Sequence, residues 1–95
     1  MLHCSQRHRQ IAEHYGLHTE AMQTMEEMAE LSVALSHYLR GRSEGTEEIC
    51  EEMADVIVSI KSLMHLLSIS QESVQAWMEK KLSREEKRIQ EKNHA

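Results

Sequence analysis

The chain has 95 residues, no Pro, no Phe, three Gly and 40% hydrophobic residues drawn mainly from Leu, Met, Ile, Val and Ala, a composition that favours helices over strands. Its formal net charge of −5 argues against general binding to nucleic acid or to an anionic membrane, both of which need a cationic surface. A single domain, 1–95, of this size buries only about two thirds of its unfolded surface, so self-association would stabilise it.

A first helix is predicted from about Ser5, its N-cap, to Tyr15, where Gly16 acts as a stop signal. Thr19 is expected to cap a second helix that runs to about Leu39 and ends at Gly41-Arg42-Ser43-Glu44-Gly45, with Met28, Leu31, Leu35 and Leu39 as its apolar stripe. Thr46 then caps a third, whose first turn carries Glu47 and Glu48 against the helix dipole and whose stripe is Ile49, Met53, Val56, Ile60, Leu63 and Leu67. The segment Ser68-Ile69-Ser70 ends it. Ser70 caps a fourth helix with an apolar face of Val74, Trp77, Met78 and Leu82, followed by a highly charged tail expected to fray from about Gln90.

No apolar run approaches the length of a membrane span, and the N-terminus lacks the apolar core of a secretory signal. Cys4 and Cys50 show neither CxxC nor finger spacing, so reduced thiols in a cytoplasm are expected, with Cys50 a small core residue.

The most informative pattern is a repeat. Glu26-Glu27-Met28-Ala29-Glu30-Leu31 returns 25 positions later as Glu51-Glu52-Met53-Ala54-Asp55-Val56. Residues three apart lie roughly 60° from one another on a helix, so Glu27 with Glu30, and Glu52 with Asp55, each project from one side. Paired antiparallel, the two helices would aim four carboxylates into one space. Such a group repels itself and resists desolvation unless a hard cation neutralises it, and all-oxygen donors suit Mg²⁺, with Mn²⁺ as the alternative. One geometric condition attaches: if both helices ended level at their turn, the acid pairs would miss each other by roughly 8 Å along the axis, so the connection must climb or the earlier helix must end early. A Glu-rich helix face taken alone is most often a solvated surface, and it is the matched repeat that raises the metal reading. A di-iron site is disfavoured because the chain has no Glu-x-x-His, and the seven scattered histidines show no zinc-type pairing.

Glu27-x-x-Glu30, 21 intervening residues and Glu52-x-x-Asp55 together resemble the signature of the MazG-like members of the all-α nucleoside triphosphate pyrophosphohydrolase superfamily. The Tyr38-Leu39-Arg40-Gly41 helix exit and the basic Lys81-Leu82-Ser83-Arg84, followed by Arg88, extend the resemblance over about Thr19 to Arg88, although Glu85 stands where family members often have Asn. The resemblance implies an all-α, four-helix MazG-like bundle that associates through its long central helices as a dimer or a tetramer built from two dimers. It implies Glu27, Glu30, Glu52 and Asp55 as Mg²⁺ ligands and a nucleoside or deoxynucleoside triphosphate as substrate. The implied reaction is hydrolysis between the α and β phosphates, giving nucleoside monophosphate and pyrophosphate in a house-cleaning role.

Glu26 and Glu51 are the candidates for the base. Lys81, Arg84 and Arg88 share one face of the last helix and would meet the polyphosphate if that helix packs across the acid-bearing pair. Their alternative reading is an ordinary charged face balanced by Glu85 and Glu86. His37 and Tyr38 are the candidates for contact with the nucleobase, and Trp77 is read as core or subunit interface. The rival from another class is a non-catalytic helical oligomerisation or interaction module with a solvated acidic face.

Overall fold

The computed structural model describes residues 2–94 and is all-α, with no strand among the described residues. It has three helices rather than the expected four: α1 (Gln6–Leu39), α2 (Glu47–Leu66) and α3 (Gln71–His94). The difference lies at Gly16. That residue adopts φ 84°, ψ 168°, a conformation essentially reserved for glycine, yet helical geometry resumes at once on its far side, so the expected stop is a kink inside α1. Thr19 is consequently an interior helix residue and caps nothing.

The other boundaries follow local chemistry. Ser5 caps α1, its hydroxyl accepting from the His8 N–H at 3.4 Å. Gly41, at φ 71°, closes α1: its N–H donates to the Tyr38 carbonyl and that of Arg42 to the His37 carbonyl, a Schellman arrangement. The same motif ends α2 at Ser68, at φ 55°, with Ser68 N–H donating to His65 and Ile69 N–H to Met64. Thr46 precedes α2 without a side-chain cap bond, whereas the Ser70 hydroxyl accepts from Ser73 N–H at 3.1 Å at the start of α3. The charged tail, expected to fray, is helical to His94.

Packing is confined almost entirely to α1 against α2, and α3 builds no comparable interface with either. The seam between them is not the expected one. Glu20, Thr24, Glu27 and Ala34 are the buried positions along that stretch of α1, and Ile49, Ser59, Ser62 and Met64 those of α2. The predicted stripe residues Met28, Leu35, Leu39, Met53, Ile60 and Leu67 are instead exposed, and Leu31, Val56 and Leu63 are half-buried. Small side chains let two helix backbones approach closely, and Thr24, Ala34, Ser59 and Ser62 supply them along the seam, interleaved with the larger Glu20, Glu27, Ile49 and Met64. Ala29 and Ala54, within the acidic repeat, are exposed, while Ala12 and Ala34 are fully buried. Cys50 is exposed, not a core residue, and Trp77, at 61% exposure, is not core in the single chain.

The outcome is an open molecule. Its radius of gyration is 16.6 Å, against about 12 Å for a compact chain of this length. No helix of the described residues is long and apolar enough to cross a membrane.

Candidate metal centre

Residues 40–46 join α1 to α2, and the two acid pairs meet although they stand at unequal distances from that connection. The His37 Nδ1 and Glu48 Oε1 contact, 3.2 Å across the seam, holds the register near the turn, and His65 Nε2 meets Glu13 Oε1 at 2.8 Å towards the other end. Between them Glu27, Glu30, Glu52 and Asp55 converge: one ligand atom from each lies within 4.8 Å of all the others. An i, i+3 pair from each of two antiparallel helices suffices to build this group, which is why the repeat is legible in the sequence.

The four carboxylates differ in environment. Glu27 is buried, at 8% exposure, Glu52 is half-buried, and Glu30 and Asp55 are open to solvent. Glu27 Oε1 accepts a hydrogen bond from the Gln23 side-chain amide one turn earlier, but Glu27 Oε2 and Glu52 Oε2 are buried without any hydrogen-bond partner. Burial raises the Glu27 carboxyl above the usual 4.5, the Gln23 amide opposes that rise, and Asp55 and Glu30 add to it. Glu52 is raised as well, chiefly by desolvation and then by the charge of Glu30, followed by Asp55, Glu27 and Glu51. In each case the largest charge contribution comes from the other helix, Asp55 acting on Glu27 and Glu30 on Glu52.

Two buried carboxylate oxygens with no donor are costly, because an unpaired buried polar atom forfeits its hydration without recompense. A cation coordinated by oxygen would satisfy both at once and neutralise the repulsion. The donor set fits a hard divalent ion: four carboxylates, no sulfur, no imidazole, and two members open to solvent where water or a ligand oxygen can complete the shell.

The remaining sequence candidates are placed less closely. Glu26 and Glu51 are exposed beside the group, and Glu51 contributes to its field at Glu52. His37 is committed to Glu48, and Tyr38 is 46% exposed at the end of α1. Lys81, Arg84 and Arg88 are exposed on α3, and Arg88 Nη1 donates to Glu85 Oε1 at 2.6 Å. Within one chain α3 does not pack across the acid-bearing pair, so the basic residues are not brought to the carboxylates; among the described residues the charged groups that shift Glu27 and Glu52 are all acidic.

Sequence reasoning missed Gln23 as a partner of Glu27, although its i, i+4 spacing was available as a signal. It also missed the two histidine–glutamate contacts between α1 and α2, which no local pattern announces. Compared with protein-family models, with curated proteins and with solved structures, the chain matches none.

Proposed function

We propose that this protein is a Mg²⁺-dependent nucleoside triphosphate pyrophosphohydrolase of the MazG-like kind, hydrolysing (deoxy)nucleoside triphosphates to monophosphate and pyrophosphate. The observation that carries the metal part of this reading is the pair of donorless, buried oxygens on Glu27 and Glu52, two members of a group of four carboxylates that each bring one oxygen within 4.8 Å of the others. The substrate rests on the resemblance of Glu27-x-x-Glu30 and Glu52-x-x-Asp55, in their order and spacing, to the family signature.

Glu27, Glu30, Glu52 and Asp55 would hold the cation, which when bound offsets the negative charge of phosphate oxygens during transfer. Gln23 fixes Glu27 by donating to Oε1, which leaves Oε2 as the oxygen without a hydrogen-bond partner. Glu30 and Asp55, open to solvent, stand on the side from which a phosphate arrives. Glu51 is an exposed carboxylate electrostatically linked to Glu52, which suits it to accept a proton from an attacking water; Glu26 is the corresponding residue of the other repeat.

The test is pyrophosphate release from a panel of ribo- and deoxynucleoside triphosphates with Mg²⁺ or with EDTA. Release with Mg²⁺ alone supports the reading, and no release from any nucleotide by well-folded protein counts against it.

The large exposed apolar surface favours a second reading, a helical oligomerisation module without catalysis. Asp55→Ala separates the two. A module keeps or gains thermal stability as repulsion is relieved, whereas the enzyme loses both turnover and its stabilisation by Mg²⁺.

A further inference from the structure

At the end of the hairpin away from the α1–α2 connection lies a cavity of about 440 Å³. Residues 2–4, the first turn of α1, the end of α2 and the start of α3 come together around it. Along α2, His65 on its wall stands about 15 Å beyond Asp55 at 1.5 Å per residue, so this space is separate from the carboxylate group. Its volume falls within the range of small-molecule sites and far exceeds the water-sized voids of ordinary packing.

The walls differ in charge. The N-terminal side contributes His3 and Arg9, and residues 2–12 hold these two together with Arg7 and His8 but no acid, in a chain of net charge −5. The imidazole of His8 registers this local excess: desolvation holds it below its usual 6.5, followed by Lys61, Arg7 and His3. The side contributed by α3 carries Glu72. Leu2, Met64 and Ile69 make the lining partly apolar, and the first two are buried. His65, also on the wall, is already engaged by Glu13 at 2.8 Å.

Arg9 and Glu72 therefore line one space, yet among the described residues neither forms an ion pair. A ligand bearing both charges uses both groups. Its carboxylate suits the planar fork of the Arg9 guanidinium, its ammonium donates to the Glu72 carboxylate, and an apolar side chain covers Leu2, Met64 and Ile69. A plain anion meets the charge of Glu72, and a plain cation meets that of Arg9. Each is selected against by the group that it leaves unpaired.

We propose that this cavity binds a small zwitterion of the amino-acid class with an apolar side chain, held by Arg9 through its carboxylate and by Glu72 through its ammonium group. The two charged contacts come from different helices, so the ligand ties the start of α3 to α1. That tie matters because α3 builds no extensive interface of its own with the hairpin. The site depends neither on the metal nor on the reaction proposed above.

Binding is tested by titration calorimetry in EDTA, without nucleotide, using free leucine and free methionine as probes. Saturable binding in the millimolar range is expected. Isocaproate, which is leucine without its ammonium, and isoamylamine, which is leucine without its carboxylate, should each bind at least about tenfold more weakly. Arg9→Gln and Glu72→Gln, both at exposed positions, should each weaken leucine by at least about tenfold while thermal unfolding without ligand stays unchanged. If either variant fails to fold, the comparison of leucine with its two half-molecules on the wild-type chain decides alone. Saturating leucine should also slow amide hydrogen exchange in the first turns of α3. No saturable binding of either amino acid overturns the proposal, as does affinity that survives both substitutions. Isocaproate or inorganic phosphate binding as tightly as leucine makes this a plain anion site and overturns it too, and unchanged exchange in α3 overturns the tie.

Discussion

His37 and Glu48 meet at 3.2 Å across the α1–α2 seam, close to the turn that joins the two helices. The contact lies on the same seam as the carboxylate group, where Glu27 and Glu30 of α1 meet Glu52 and Asp55 of α2 further along the pair. Both partners are about 40% exposed, so the contact selects alignment more than it stabilises the fold.

The raised carboxyls of Glu27 and Glu52 set a pH dependence whose sign is opposite to that of a salt-bridged acid. A carboxyl whose folded value lies above its unfolded value favours the fold when protonated, below about 4.5, and that contribution is lost as the pH rises through the folded value. In EDTA at neutral pH, Glu27→Gln and Glu52→Gln should therefore melt above the wild type. The gap should close as the pH is lowered towards 4.5, as read by thermal unfolding across a pH series.

Mg²⁺ should reverse this ordering. A ligand that binds only the folded chain stabilises it by about 2.7 kcal/mol at a hundredfold excess over its dissociation constant. The wild type should show a rise in Tm with Mg²⁺ that chelation removes, and Glu52→Gln or Asp55→Asn should show little or none. Titration calorimetry with Mg²⁺ alone, without nucleotide, checks the same point.

Gly16 holds a backbone conformation that costs another residue about 1–3 kcal/mol. A Cβ there would meet nothing within 4 Å, so the penalty is one of backbone conformation, not of space. Gly16→Ala should lower stability by that amount in urea unfolding, unless the kink straightens, which a change in the Glu13–His65 contact would report.

Ser68 performs the duty of a Schellman glycine at φ 55°. A non-glycine residue in the left-handed region costs roughly 1–2 kcal/mol, partly offset by the greater freedom of glycine in the unfolded chain. Ser68→Gly should raise stability by up to about 1 kcal/mol with no effect on Mg²⁺ binding.

The carboxylate quartet is readable from the amino-acid order because helical periodicity alone puts i and i+3 on one side, and the two copies of the repeat share that spacing. The caps at Ser5, Gly41 and Ser70 are readable for a similar reason, since each depends on bonds to residues a few positions away. Gly16 is a break in helical geometry, as its residue type suggests, but not an end: helical geometry resumes beyond it, and Glu13 on one side and His37 on the other both meet residues of α2.

The inward face of the hairpin is not readable in this way. Glu27 and Met28 are adjacent, about 100° apart on the helix, and hydrophobicity favours burying the methionine. In the folded chain Glu27 is buried and Met28 is 53% exposed. That choice is made between whole surfaces: the Ala, Ser and Thr lane permits a closer backbone approach than the Met and Leu lane, and the advantage exists only once the second helix is present. Sequence alone determined the all-α class, the caps at Ser5, Gly41 and Ser70 and the spacing of the acids, all set by forces acting within a turn or two. Tertiary structure alone decided which lane lies inside and where α3 points, because those depend on free energies summed over segments distant along the chain.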